Sequence, residues 1–279
     1  MKSRIGFMQG RLSPQVNGKI QAFPADCWQA EFECGHRNGF SMMEWTLDQD
    51  ALYSNPLLIA QGQHEIRQMC TQFDFSVLSL TGDCFMQSPF WKASGTEVES
   101  LLQDFRAVAR ACSAVGIQMM VVPLVDNGRI ENVAQENFLV AALEREMPLL
   151  AELNVKVVFE SDFSPLELAR FIGRLDPQWF GVNYDVGNSA SLGFRPTEEI
   201  PAYGHRIVNV HVKDRQLGGT TVPLGTGNAQ FDTVFSELAK VGYAGAYILQ
   251  TARAAEGNHA EVLCKYRDMT QNWIDRYGA

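Results

Sequence analysis

No stretch of this sequence approaches the ~20 consecutive apolar residues that a membrane-spanning helix needs. The chain opens Met1-Lys2-Ser3-Arg4 and runs directly into an apolar segment, with no signal-peptide cleavage pattern behind it. A cytoplasmic protein off the membrane is therefore expected. There is no CxxC pair either: the six cysteines, Cys27, Cys34, Cys70, Cys84, Cys112 and Cys264, lie scattered. They read as reduced, mostly buried side chains rather than a disulfide framework. No run of Lys and Arg occurs, and the formal charge is −9. Such a balance repels phosphate backbones at long range, so nucleic acid is excluded as a general partner. Internal repeats and low-complexity tracts are missing too, which leaves one domain over residues 1–279 as the economical reading.

What is present is an alternation. Strand candidates fall at Ile5–Met8, Met42–Thr46, Ser76–Leu80, Gln118–Pro123, Lys156–Glu160, Gly181–Asp185, Ile207–Val212 and Ala246–Thr251. Between them run segments of helical spacing. Leu101, Leu102, Phe105, Val108 and Ala109 repeat at three- and four-residue intervals up to Gly116. Phe138, Ala141, Ala142 and Leu149 mark a second such face, and Phe231, Val234, Phe235, Leu238 and Ala239 a third, which stops at Gly242. Eight strands alternating with helices predict a parallel α/β protein, and 279 residues suit one (β/α)8 TIM barrel. The rival, an open doubly wound sheet, calls for a Gly-rich turn after the first strand. Here Ile5–Met8 is followed by Gln9-Gly10-Arg11-Leu12-Ser13-Pro14, and no strand leads into Gly225-Thr226-Gly227 at the required offset.

In such a barrel, residues at the C-terminal ends of the strands face the catalytic mouth. Strands five to eight end in a carboxylate, a carboxylate, an imidazole and a side-chain amide: Glu160, Asp185, His211 and Gln250. Each follows apolar residues, and a buried unpaired carboxylate either costs several kcal/mol or loses its charge. A shared cation removes that penalty for all four, which predicts a divalent metal site with one nitrogen and three oxygen ligands. Oxygen-rich coordination with one imidazole suits Mn²⁺ or Mg²⁺, with Co²⁺ and Zn²⁺ as alternatives.

Other mouth candidates each have a bland counterpart. Lys213 is expected to contact a substrate oxygen, orient a ligand carboxylate, or form a surface ion pair with Asp214. Arg11, Arg215 and Arg253 follow strands one, seven and eight and are read as ligands for a sugar hydroxyl or phosphate, against a solvated alternative. Gly225-Thr226-Gly227-Asn228 precedes a helix and reads either as a phosphate cradle or as a tight turn. Trp45, Phe7 and Trp91 are candidates for walling a sugar ring, with core packing as the alternative. Cys84, after a strand, is read as a structural thiol.

These residues resemble the xylose isomerase-like TIM-barrel superfamily, in its sugar-phosphate isomerase and epimerase branch, over nearly the whole chain. The resemblance rests on Met8-Gln9-Gly10-Arg11-Leu12-Ser13-Pro14, Glu44-Trp45, Glu160, Asp185-Val186-Gly187-Asn188, His211-Val212-Lys213-Asp214, Pro223-Leu224-Gly225-Thr226-Gly227 with Phe231-Asp232, and Ile248-Leu249-Gln250-Thr251. It implies a metal-dependent isomerase or epimerase of a sugar, keto-sugar or sugar phosphate. In that branch the ligands are Glu, Asp, His and Glu, matching Glu160, Asp185, His211 and position 250, and the two glutamates shuttle a proton through a metal-bound cis-enediolate. It also implies substrate binding by Glu44, Trp45 and Asn188, the last at a place where relatives can carry histidine. The departure is Gln250, whose amide coordinates but cannot serve as a base. Glu160 is then left as the catalytic carboxylate, with a second base from Asp83 or Glu44, or a one-base isomerisation. A lyase or dehydratase on the same scaffold and a non-catalytic ligand-binding paralogue stay open. His36, His64, His205 and His259 read as surface or packing residues, which argues against a three-zinc endonuclease of the same superfamily. The implied partner is a small carbohydrate; homo-oligomerisation is left open.

Overall fold

A computed structural model of the chain describes residues 3–254 and 257–279. Eight parallel strands close into a barrel: β1 (Ile5–Met8), β2 (Met42–Thr46), β3 (Ser76–Thr81), β4 (Met119–Leu124), β5 (Lys156–Ser161), β6 (Phe180–Asp185), β7 (Ile207–Val212) and β8 (Ala246–Leu249). Each strand pairs with its neighbours in chain order, and β1 closes the ring against β8 through Ile5 opposite Tyr247 and Phe7 opposite Leu249. The alternation of the sequence thus gives the (β/α)8 barrel it predicts, with β4 shifted by one residue and β8 ending two residues early. Gln250 nevertheless stays in line with the sheet, because its N–H donates to the Val212 carbonyl at 3.1 Å. A two-stranded antiparallel ribbon, Asp214–Arg215 with Thr221–Val222, rises beyond β7.

The helices follow the hydrophobic spacing. Thr96–Val115 buries Leu102, Phe105, Val108 and Ala109 and stops where Gly116 takes φ +90°, a left-handed conformation that costs glycine little. Phe231–Lys240 buries Phe231, Val234, Phe235 and Leu238. The helix Val133–Leu153 is rotated from the face read in the sequence: Leu139, Val140, Ala142, Leu143 and Leu150 face the barrel, while Phe138 faces outward. Four apolar residues could not fix the phase of so long and uniformly apolar a helix. Among the described residues no helix is long and apolar enough to cross a membrane.

The connection after β1 covers one side of the mouth, and its anchoring explains the Gln9-Gly10-Arg11-Leu12 string. Gly10 has φ +89°, and the buried Glu31 carboxylate accepts the N–H groups of Gly10 at 2.8 Å and Leu12 at 2.9 Å. Arg11 donates to the carbonyls of Thr251 at 3.0 Å and Ile20 at 2.9 Å, and Arg253 donates to those of Ser13 at 2.6 Å and Ile20 at 3.3 Å. Both arginines therefore tie the first connection to the end of β8. Replacing Glu31 with Ala strands one buried and one part-buried N–H donor, so a loss of about 2–4 kcal/mol is expected. Urea unfolding of Glu31→Ala against the parent checks it; a change within error would show that the loop does not depend on this carboxylate.

Candidate active site at the mouth of the barrel

The register brings the strand-end side chains together. Asp185 lies opposite His211 on β6 and β7, and His211 opposite Ile248 on β8. Donor atoms of Glu160, Asp185 and His211 all fall within 4.8 Å of one another, and all three residues are buried. Asp185 caps the helix Val186–Leu192: its Oδ1 accepts the Asn188 N–H at 2.8 Å. That bond fixes the carboxylate and leaves Oδ2 facing the cluster, 3.8 Å from His211 Nδ1.

His211 is oriented from below. Its Nε2 lies 2.7 Å from Glu44 Oε1, and Glu44 also accepts from Ser79 at 2.5 Å, from Thr81, and from Asn209 at 2.8 Å. With Nε2 held on Glu44, Nδ1 faces Glu160 Oε2 at 3.1 Å and the Asn183 amide nitrogen at 3.0 Å, and it is the ring nitrogen that a metal ion would take once its proton is displaced. Burial alone would push the imidazolium pKa of His211 down, but the carboxylates of Glu44, Asp185 and Glu160 outweigh it and hold it well above the ordinary value. Burial likewise raises Asp185, and Lys213 and His211 together more than reverse this, leaving it below the usual carboxylate range. So much buried negative charge focused on one imidazole is a cradle that can hold a metal ion.

Gln250 joins this group through Lys213. The Lys213 ammonium donates to Asp185 Oδ2 at 2.9 Å and to Gln250 Oε1 at 3.1 Å. The ion pair imagined with Asp214 does not form. Asp214 is fully buried and accepts the N–H groups of Gly225 at 2.9 Å, Gly227 at 2.9 Å and Ala229 at 3.1 Å. The Gly225–Asn228 turn is therefore filled by a side chain of the protein itself, so of its two readings the tight turn holds and the phosphate cradle does not. A Cβ on Gly227 would lie 2.3 Å from Asp214 Oδ1, so glycine is needed for this close approach.

Above the cluster opens a cavity of about 760 Å³, lined among others by Gln21, Asp83, Arg129, Glu160, Asn188, Lys213, Arg215 and Gln250. Of the substrate-binding residues expected from sequence, Asn188, Lys213 and Arg215 line it. Arg11 and Arg253 do not, being engaged with backbone carbonyls. Glu44 lies beneath His211. Trp45 is buried between Phe23 and Trp28 with its indole N–H on Asn55 at 3.2 Å. Phe7 packs on Phe40 and Phe75, and the Trp91 indole donates to the Gly128 carbonyl at 3.0 Å. The three aromatics are core residues, and the sugar-ring wall proposed for them is not built from them. Cys84 is buried, which with the nearby Asp83 charge pushes its thiol pKa well up, as a structural thiol requires.

Arg215 donates to Asn188 Oδ1 at 2.8 Å, and the Asn188 amide donates to Glu160 Oε1 at 2.5 Å. An arginine can only donate, so it fixes which end of the Asn188 amide faces Glu160. Gln21, missed by sequence reasoning, comes from the irregular connection after β1, where no periodicity marks a position. It accepts from Gln250 Nε2 at 2.8 Å and donates to Asp83 Oδ2 at 2.8 Å. Burial pushes Asp83 up to about 7; the Gln21 bond opposes this, and the charges of Asp48 and Glu160 add to it.

The family described as xylose isomerase-like TIM barrel matches residues 32–267. Over 269 residues the chain is 24% identical to L-ribulose-5-phosphate 3-epimerase UlaE of Escherichia coli strain SMS-3-5, covering 92% of this chain and 94% of that protein. With the protein of the same name from Salmonella paratyphi A the identity is 34% over 105 residues, a stretch spanning only 37% of either chain. The fold superposes on the IOLI protein crystallised with a binding zinc atom at a TM-score of 0.78 and 15% identity, over 99% of both chains. On a D-allulose 3-epimerase from Methylomonas sp. the TM-score is 0.75 at 15% identity, over 96% of this chain and 97% of the other.

The Asp83 carboxyl is expected to titrate near 7, and Asp48→Asn, which removes a neighbouring negative charge, to shift its midpoint downward. Carbon-13 NMR of labelled protein reads both; an unmoved midpoint would remove the Asp48 charge from the causes and leave burial and Glu160.

Proposed function

We propose, since the chain belongs to the xylose isomerase-like TIM-barrel family, that this mouth is the active site of a metal-dependent epimerase or isomerase of a ketose or ketose phosphate. One observation carries the reading: a buried Glu160–Asp185–His211 cluster lies at the C-terminal mouth and borders a polar cavity large enough for a monosaccharide. The full-length similarity to L-ribulose-5-phosphate 3-epimerases supports the substrate class.

Glu160, Asp185 and His211 would hold the ion, with the Gln250 amide oxygen as a fourth donor once Lys213 turns aside. The ion would supply Lewis acidity, drawing electrons from a carbonyl and so acidifying the adjacent C–H. The protein's residues do the rest. Glu160 takes the proton from that carbon. Asn188, held by Arg215, fixes the direction of the Glu160 carboxylate. The Nε2–H of His211 stays on Glu44, so its imidazole is a ligand and not a competing base. Lys213 and Arg215, which line the cavity, offer donors to substrate oxygens.

With two carboxylates rather than three, the occupied site is formally neutral. Gln250→Glu is therefore expected to raise affinity for Mn²⁺, measured by calorimetry; an unchanged or lower affinity would remove residue 250 from the ligand set. In deuterium oxide, NMR over a panel of ketoses and their phosphates should show exchange of a hydrogen beside the carbonyl. Chelation should abolish that exchange, and Glu160→Gln should reduce it by about 100-fold or more. An unsaturated or dicarbonyl product would instead indicate a lyase, and binding without exchange a non-catalytic barrel.

A further inference from the structure

Epimerisation needs a proton removed from one face of a carbon and another delivered to the opposite face. Glu160 supplies one group, and Gln250 cannot supply the second because an amide is no proton carrier near neutral pH. Glu44 is excluded by position: it is fully buried, its Oε1 lies against His211 Nε2 and also accepts from Thr81, and its Oε2 accepts from Ser79 and Asn209.

Two hydrogen-bond chains cross the mouth, and cations fix the polarity of both. In the first, Arg215 donates to Asn188 and Asn188 to Glu160. In the second, Lys213 donates to Gln250 Oε1, the Gln250 amide to Gln21 Oε1, and the Gln21 amide to Asp83 Oδ2. Ammonium and guanidinium groups only donate, so each intervening amide must turn its N–H₂ away from the cation and toward a carboxylate. Both chains end on carboxylates that line the same cavity. Asp83 comes from the end of β3, on the arc of strands that supplies none of the ligands proposed above. Its Oδ1 takes no hydrogen bond from a described residue. The Arg11 guanidinium also donates to Gln21 Oε1 at 3.4 Å and holds the Gln21 amide in the same sense; a glutamate at position 250 would remove the Gln250 N–H₂ from this chain and set a charge beside the Gln21 carbonyl.

We infer that Asp83 is the second proton-transfer group of this site and that Gln250, its Oε1 held by Lys213 or, in the metal-loaded protein, by the ion that takes the place of Lys213, acts with Gln21 to position it, so that a carboxylate at the end of β3 does what an amide at the end of β8 cannot. The inference rests on the epimerase reading. Glu160 removes the proton from the carbon beside the carbonyl, and the C–H electron pair moves into the carbonyl. Protonated Asp83 delivers its proton to the opposite face of that carbon, and the electron pair returns to form the new C–H bond. Glu160 then gives up the substrate proton to water and Asp83 regains one, so no other reactant is needed. A carboxyl titrating near 7 is suited to both directions. The charged groups facing it are Asp48, Glu160, Lys213 and Arg11.

The test is metal-loaded protein in deuterium oxide, with substrate and epimer both followed by NMR. The parent should give deuterated epimer. Asp83→Asn should lose inversion by about 100-fold or more, while recovered substrate still gains deuterium at unchanged configuration through Glu160. Gln21→Met, which removes a positioning donor without touching a carboxylate, should lower kcat and move the pH profile upward, because the lost bond no longer holds the Asp83 pKa down. Full inversion by Asp83→Asn, or an unmoved profile in Gln21→Met, would overturn the assignment and leave the epimerase reading standing. Loss of both exchange and inversion in Asp83→Asn with unchanged melting would overturn the division of labour with Glu160. If the parent itself exchanges nothing across the panel, the epimerase reading falls and this inference with it.

Discussion

Everything at the mouth depends on balancing buried negative charge around one imidazole. Glu44, Glu160 and Asp185 all approach His211, and all are withdrawn from water. A carboxylate in such surroundings keeps its charge only with hydrogen bonds and a nearby cation. The molecule meets this in layers. Hydroxyls of Ser79 and Thr81 and the Asn209 amide serve Glu44. The start of a helix serves Asp185. Lys213 reaches in from β7 and touches both Asp185 and Gln250. An arrangement that needs so many donors is costly for stability alone, and a replacement by packed apolar residues would be simpler.

The same charge logic organises the amides. Asn188 and Gln250 are amides at the mouth, and both hydrogen-bond without being able to transfer a proton near neutral pH. Neither is idle. Each is fixed end for end by a cation and passes that orientation toward a carboxylate on the cavity wall. An amide rather than an acid at the end of β8 leaves the neighbouring carboxylates Glu160 and Asp83 as the acids on the cavity wall among these residues.

Much of the architecture was legible in the chain. The strands announced themselves as short apolar runs, because a barrel strand is covered by helices outside and by other strands' side chains within. Glu160, Asp185 and His211 were legible as a cluster, since equivalent ends of neighbouring parallel strands must converge at one mouth. The phase of the helix Val133–Leu153 was not, because apolar residues on several of its faces erase the periodic signal. Nor were the fates of Arg11 and Arg253. An arginine after a strand has the same local pattern whether it meets a substrate or two backbone carbonyls.

By itself, then, the sequence determined the order of strands and helices, the closure they require and the carboxylates, imidazole and amide that arrive at one end. Those follow from local periodicity and from a fixed relation between strand ends. Tertiary structure alone decided that Asp214 fills the glycine turn, that Lys213 turns to Asp185 and Gln250, and that Gln21 spans the mouth from Gln250 to Asp83. Such pairings join residues up to 229 positions apart. They are set by how irregular connections lie across the barrel, where no repeating spacing connects a residue to its partner.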